Sequence, residues 1–314
     1  MKNCDIFEIC SVKFTADKFL DKLNQSLRDQ GLNVMEGYNY ELNYVNNPNV
    51  LNIRFSRKIL SIQHFKAIND FLKAIKKINP KIIHVHTPIC SFLVRIVMGF
   101  LSFFSKRYKK IKIIYTVHGF NFHENMNFFK NFFFISIEYF LCKFFTHYIF
   151  FQSREDYNYV KNKFNIKQNK ILHIGNGIDL NKYRFNKNLR NYENNQIRLL
   201  YVGRMVEEKG IRDLLFVMNN LEKSKKFKNL YLTLVGPSLS SDRDKLGSDM
   251  YNLINKLTNV EWIGESNSIP DIMSKNDFFI LPSYREGVPR SVIEAMASGK
   301  DMIPKKISVA TTLP

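Results

Sequence analysis

Residues 281–299 read LPSYREGVPRSVIEAMASG, and the organisation of the chain can be worked outward from them. Leu281 closes an apolar run that opens at Phe278, and Glu286 and Gly287 fall in a turn. Pro289 then stands where a helix begins, a place that suits a residue with no amide hydrogen and a helical φ. The spacing predicts a helix over Arg290–Ser298, ended by Gly299. A helix that starts at the carboxyl end of a parallel strand turns free amide donors toward a ligand, and Gly287 lets an anion approach the backbone closely. Glu286 falls in that crevice. Glu294, about one and a half turns further on, can direct a carboxylate at two neighbouring hydroxyls of a ribose or another sugar. As a bare spacing the two glutamates would be a helix-surface acid and an acid complementing the helix dipole. The strand, turn and helix around them favour the site reading.

The same rhythm runs upstream. Residues 201–210, YVGRMVEEKG, end a strand at Gly203 and place Arg204 and Lys209 in the loop before a helix, where two cations can share one diphosphate. Solvated loop charges are the alternative. Strands are predicted at Ile197–Val202, Leu230–Val235, Val260–Ile263 and Phe278–Leu281, with a helix over Gly210–Leu221. In the first half, Asp5–Val12 reads as a strand and Ala16–Gln30 as a helix ended by Gly31, followed by a helix over Phe65–Ile78 stopped by Pro80. Ile82–His86 reads as a buried strand, and the strand Ile111–Val117 runs into His118 and Gly119. Strands alternating with helices mean an α/β chain with parallel sheets, and 314 residues are enough for two doubly wound domains. The polar stretch Asn186–Gln196 lacks apolar periodicity and reads as a linker. The expected division is therefore a first domain over 1–188, a linker over 189–197 and a second domain over 198–314.

Hydrophobic residues at 45% and charged residues at 24% exclude a disordered chain. Cys4, Cys10, Cys90 and Cys142 form no CxxC pair, which argues against a disulfide framework or a zinc site and fits a reducing cytosol. Asp5 and Glu8 interrupt what a secretion signal would need, and Lys130, Glu138 and Lys143 interrupt the most apolar stretch, Phe128–Phe151, so neither a signal peptide nor a membrane span is expected. The net charge of +19 is uneven: residues 1–190 hold 30 Lys and Arg against 13 Asp and Glu, residues 191–314 hold 17 against 15. A basic first half suggests an anionic partner, nucleic acid or an anionic membrane face, with biased composition as the alternative.

With these motifs placed, the second half resembles the retaining family 4 glycosyltransferases (glycosyl transferases group 1). The resemblance is carried by YVGRMVEEKG at 201–210, LVGP at 234–237, VEWIGESNSIPDIMSKNDFFILPS at 260–283 and EGVPRSVIEAMASGK at 286–300. In the first half HVHTP at 84–88, YTVHGFNFH at 115–123, SREDYNYV at 153–160 and IGNGID at 174–179 are similar to the branch that builds bacterial exopolysaccharide, capsule and surface glycans. The resemblance implies a GT-B architecture, two Rossmann-like domains facing a cleft. It implies that Arg204 and Lys209 bind the donor diphosphate and that Glu294 holds the ribose. Glu286 and the amides of Gly287 and Val288 would meet the donor sugar and phosphate, and His118 the transferred sugar. His84 and His86 read as structural. No cofactor is implied, the nucleotide-sugar being a substrate, and no metal, because Arg204, Lys209 and a helix dipole can stabilise the departing diphosphate. Asp242-Arg243-Asp244 matches a DxD metal motif as a string but lies in a Ser-rich loop and reads as solvated.

Met98–Phe151 holds 15 of the 28 phenylalanines together with Lys106, Arg107, Lys109, Lys110 and Lys112. That composition suits a peripheral enzyme on the inner face of the cell membrane with a lipid-linked glycan acceptor, the alternative being that the rings fill the first core. No nucleic-acid module is recognisable. Two departures stand against the family pattern. After Gly299-Lys300 the chain reads Asp301 to Pro314 where relatives continue for about sixty residues, so a truncated, incomplete second domain is expected. Cys10–Thr15 contains no glycine where many relatives have several. The expectation is a retaining, metal-independent glycosyltransferase. The rivals are an inactive truncated remnant and a sugar-nucleotide epimerase of the same fold. UDP and GDP conjugates are both open as donors.

Overall fold

The opening strand β1 (Ile6–Val12) is apolar on both faces, apart from Glu8 and Ser11, and such a run needs a parallel neighbour on each side. It finds β2 (Val34–Asn39) on one side and β4 (Ile82–Val85) on the other. The structure, a computed structural model, describes residues 4–304 except 41–46, 57, 59, 60, 121, 123–125, 184–195, 225, 226, 240, 241, 243 and 285. Among the described residues β3 (Val50–Asn52) lies outside β2, and β5 (Lys112–Val117), β6 (Tyr148–Phe151) and β7 (Ile171–His173) follow β4, giving the order β3-β2-β1-β4-β5-β6-β7 with every pair parallel. The second sheet repeats the arrangement with β8 (Ile197–Val202), β9 (Leu230–Val235), β10 (Val260–Trp262), β11 (Phe278–Leu281) and β12 (Asp301–Pro304) in the order β10-β9-β8-β11-β12, again all parallel. Both orders are Rossmann-like.

The connecting helices are α1 (Lys13–Thr15), α2 (Asp21–Asp29), α3 (Gln63–Ile78), α4 (Pro88–Phe104), α5 (Lys106–Lys109), α6 (Phe128–Phe144) and α7 (Arg154–Lys163) in the first half. In the second half they are α8 (Ile211–Ser224), α9 (Ser248–Lys256), α10 (Ile269–Ser274) and α11 (Arg290–Ala297). The first helix departs from expectation: it begins at Lys13 rather than Ala16, and a π-helical turn over Ala16–Leu20 joins α1 to α2. With no glycine in Cys10–Thr15 the chain passes from strand to helix without a loop. A close approach at the β8 loop in the second half requires glycine. Gly210, at φ +71°, closes the turn after Arg204 with Pro282 O only 2.1 Å from where a Cβ would stand, so a side chain there would drive β8's loop off β11.

Two cores form. In the first, Phe7, Ile83, Tyr115 and Phe151 from the strands meet Phe71, Val94 and Met98 from helices α3 and α4. In the second, Leu200, Leu234 and Phe279 meet Leu214, Met218 and Ala295. The chain divides into compact units Met1–Gly175 and Asn176–Pro314. Residues ahead of the expected boundary at 188 belong with the second unit, because Tyr183 packs on its core and Asn176 Nδ2 donates to Val288 O at 3.2 Å. Most of the linker expected at 189–197 lies outside the described residues, and Ile197 opens β8. Asp301–Pro304, where the sequence departs from the family pattern, forms β12 beside β11, while 305–314 lie outside the described residues.

Candidate functional site

In each sheet the strand order reverses at one point, between β1 and β4 and between β8 and β11, and loops leaving the carboxyl ends of those neighbours must come together. In the second unit this brings the two sequence motifs into contact. Lys209 Nζ, from the loop after β8, lies 2.7 Å from Glu286 Oε1, from the turn after β11. The same oxygen accepts Ser283 Oγ–H at 2.6 Å. Arg204 donates from Nη1 to Asp242 Oδ1 at 2.7 Å and from Nη2 to Glu208 Oε1 at 3.1 Å. Tyr201 OH donates to the Arg204 carbonyl at 2.9 Å, which holds the turn below the guanidinium. Tyr284 locks the two loops to each other: its amide donates to Glu208 O, and its hydroxyl donates to Asp213 Oδ2 at 2.7 Å.

Glu294 lies on α11 beside Arg290, whose Nη2 is 3.7 Å from Oε1, and it shares a hydrogen bond with Tyr183. Burial, reinforced by the Glu294 carboxylate, pushes the Tyr183 phenol well up from its ordinary value. Val288 uses its carbonyl on Asn176. Pro289 is the N-cap of α11; no side chain caps that terminus, and the Val292 amide turns back to the Pro289 carbonyl at 3.1 Å. The solvated reading of Asp242-Arg243-Asp244 is corrected here. The Asp242 side chain is fully buried, binding Arg204 and accepting the Leu239 amide, and Asp244 accepts the Glu208 amide at 2.8 Å. Residue 243 lies outside the described residues. A buried carboxylate needs a paired cation, and among the described residues Arg204 supplies it.

In the first unit the reversal point holds a cluster that the sequence reading divided. His84 and His86 alternate onto one face of the chain leaving β4, as Thr116 and His118 do at the end of β5, and Glu8 on β1 stands in register with His84. Glu8 accepts from His84 Nδ1 at 3.0 Å and from His86 Nε2 at 2.8 Å. His84 Nε2 lies 2.8 Å from Thr116 Oγ1, His86 Nδ1 lies 3.1 Å from His118 Nε2, and His118 Nδ1 lies 3.0 Å from the Gln152 amide. Burial opposes the Glu8 charge, but the two imidazoles outweigh it and hold the carboxyl at about 2. Burial and the neighbouring His84 lower His86 to about 4, and burial with His86 lowers His118 to about 3. His84 and His86 are buried and joined to His118, and Glu8, which the sequence marks only as an acid where a secretion signal would be apolar, is the charge at the centre.

Glu8, His84 and His86 together have the composition of a metal site, their ligand atoms all within 4.8 Å of one another. Their separations of 2.8 and 3.0 Å are those of hydrogen bonds. Tetrahedral ligands about 2.0–2.1 Å from an ion would stand further apart. The donor set as placed binds protons.

Residues 35–182 match the family described as Glycosyltransferase Family 4, and residues 183–309 match Glycosyl transferases group 1. The chain belongs to these glycosyltransferases. It is 25% identical over 262 residues to the UDP-Gal:alpha-D-GlcNAc-diphosphoundecaprenol alpha-1,3-galactosyltransferase of Escherichia coli, covering 80% of this chain and 64% of that protein. It is 27% identical over 236 residues to the capsular polysaccharide biosynthesis glycosyltransferase CapH of Staphylococcus aureus, covering 75% and 62%. The chain thus spans just under two thirds of the length of these two relatives. Among solved structures, Anabaena Alr3699/HepE in complex with UDP and glucose superposes with a TM-score of 0.70 at 17% identity, covering 97% of this chain and 81% of that one. The likeness establishes the GT-B class of fold for this glycosyltransferase, two parallel-sheet α/β domains. Among the described residues no helix is long and apolar enough to cross a membrane.

Proposed function

We propose that this glycosyltransferase moves a sugar, with retention of configuration and without a metal, from a UDP-sugar to a lipid-linked glycan in surface polysaccharide assembly. One observation carries the reading: Arg204 and Lys209, separate in the loop after β8, are both held at the β8/β11 reversal point by carboxylates of the same unit. The Arg204–Glu208 pair is a half-exposed i,i+4 contact and is worth about 1 kcal/mol at most. An arriving diphosphate exchanges it readily, while buried Asp242 keeps the guanidinium aimed. Arg204, Lys209 and the amides of Gly287 and Val288 then take up the charge that develops on the leaving diphosphate. Glu294 receives the ribose hydroxyls, Glu286 meets the donor sugar, and His118 is assigned to the transferred sugar. The name of the Escherichia coli relative, with its UDP-Gal donor and its GlcNAc-diphosphoundecaprenol acceptor, supports the donor and acceptor classes. Calorimetry and thermal shift against UDP, GDP and their sugar conjugates test it. Saturable UDP binding that Arg204→Ala and Glu294→Ala both lose is expected, and a folded chain indifferent to every nucleotide would overturn the assignment.

The acceptor's lipid calls for a membrane surface, and we propose α6 with the end of α4 for it, on the cytoplasmic face. Only Leu141 and Cys142 of α6 are buried, while Phe128, Phe129, Phe132, Phe133, Phe140 and Phe144 are exposed, as are Phe100, Phe103 and Phe104 of α4. The two helices share that surface, Phe103 and Phe140 each packing on Phe145. Exposed Lys106, Arg107, Lys109, Lys110 and Lys112 follow directly, the cations that anionic lipid attracts. So large an apolar patch on a folded surface marks an interaction site. Sedimentation with anionic vesicles should show salt-sensitive binding that neutral vesicles lack.

A further inference from the structure

Every hydrogen bond in the first-unit cluster must have one donor and one acceptor, and that requirement fixes where each proton sits. Glu8 is a buried carboxylate, 1% exposed, and an ionised carboxylate can only accept. His84 Nδ1 and His86 Nε2, each bonded to one of its oxygens, must therefore carry hydrogens. A neutral His86 with its proton on Nε2 has a bare Nδ1, and the atom facing it at 3.1 Å, His118 Nε2, must donate. His118 then has a bare Nδ1, which takes a hydrogen from the Gln152 side chain. The Gln152 amide lies with Oε1 3.0 Å from Nδ1, and a half-turn of the amide, whose two ends are nearly isosteric, presents its NH2 there. His84, protonated on Nδ1, accepts from the Thr116 hydroxyl. The opposite order, with His118 protonated on Nδ1, sets two lone pairs against each other at 3.1 Å or places a second proton on His86, which is 2% exposed.

We propose that Glu8, acting through His86, is a positioning residue that fixes His118 as the neutral Nε2–H tautomer and holds its ring in place for sugar transfer. Two further observations support a built device. The backbone of His86 is tied to β1, its amide donating to Ile9 O at 2.8 Å. Thr87, the next residue, is held at φ +62°, a region a β-branched residue occupies only under constraint, with Oγ1 bonded to Ser11 at 2.7 Å. Strain concentrated beside His86, together with an edge contact from Phe19 onto the His118 ring, leaves the imidazole one orientation.

The inference rests on the assignment of His118 to the transferred sugar, and the test separates the two. Two-bond proton–nitrogen NMR of the full chain labelled with 15N-histidine reads each tautomer directly. In the wild type His118 and His86 are expected as Nε2–H and His84 as Nδ1–H. In Glu8→Gln one oxygen becomes an NH2 that needs an acceptor, so the single pattern breaks and His118 gains an Nδ1–H population. Transfer assays should show kcat falling about 10- to 100-fold in Glu8→Gln, with the donor KM changing less than about twofold, because the reacting geometry is lost while the nucleotide contacts stay. UDP calorimetry on the same variant should be unchanged. A wild-type His118 protonated on Nδ1, or a Glu8→Gln protein with wild-type tautomers and kcat, would overturn the proposal. Should Glu8→Gln fail to fold, the wild-type spectrum still decides it. A His118 tautomer that shifts in Glu8→Gln while kcat stays at the wild-type value would instead remove His118 from the sugar and leave the hydrogen-bond order standing.

Discussion

The carbonyl of Gly203 lies 1.8 Å from where a Cβ on Gly236 would stand, and Gly236 has φ +147°. The ends of β8 and β9 can approach only because residue 236 has no side chain, and Gly236 O also accepts the Trp262 indole at 3.0 Å. Gly236→Ala should therefore destabilise by about 2 kcal/mol or more, read as a lower urea midpoint with an unchanged slope. The chemistry of single residues was only partly visible in the sequence. Arg204, Lys209, Glu286 and Glu294 stood out because each occupies a fixed place in a strand, turn and helix pattern. Glu8 was visible as an acid inside IFEICSV, yet its sequence neighbours are Phe7 and Ile9, and nothing local shows that it faces two histidines. Asp242 looked solvated because serines surround it in sequence, while in the fold it is buried beneath Arg204.

At the scale of elements, α6 meets α4 through one buried ion pair beneath the exposed aromatic surface. Arg95 is fully buried, donates to both Glu138 oxygens at 2.8 and 3.2 Å, and stacks over Tyr115 at 4.1 Å. The Glu138 charge offsets the burial that opposes the Arg95 charge. Glu138→Ala leaves that guanidinium uncompensated and should cost about 3–5 kcal/mol in chemical denaturation. Replacing both partners, Arg95→Met with Glu138→Leu, should recover most of it. On the outer side, Phe128→Ser, Phe129→Ser, Phe132→Ser and Phe133→Ser together should abolish vesicle sedimentation while leaving the melting temperature within a few degrees, because these rings bury little in the fold. If vesicle binding survived, the surface would lie elsewhere. The richness of 98–151 in phenylalanine was legible from the sequence. Which rings fill the core, as Phe120 and Phe151 do, and which face outward was not, because apolar residues run all round α6 and leave no period to read.

For the whole molecule the histidine cluster sets a pH dependence. His86 has a lowered value of about 4 in the fold and an ordinary one near 6.5 when unfolded. Between those limits the unfolded chain binds a proton that the folded chain refuses, so stability falls as pH drops through the window. By pH 5 His86 alone removes about 2 kcal/mol, and His118 acts in the same direction. The lowered value of Glu8 gives stability that is present above about 4.3 and lost only as pH falls toward 2. Urea midpoints for the first unit should therefore be lower at pH 5 than at 7.5, and equal midpoints would mean that the imidazoles are solvated. The sequence by itself determined the α/β class, the parallel sheets and the turns that carry the second-unit site, because hydrophobic period, glycine and proline act over a few neighbouring residues. Only the tertiary structure decided that Glu8, 76 residues from His84, is joined through His86 to a histidine at the end of a third strand, and that Lys209 meets Glu286 across 77 residues. Partners of that kind are chosen by strand order, and strand order is settled by how apolar faces pack.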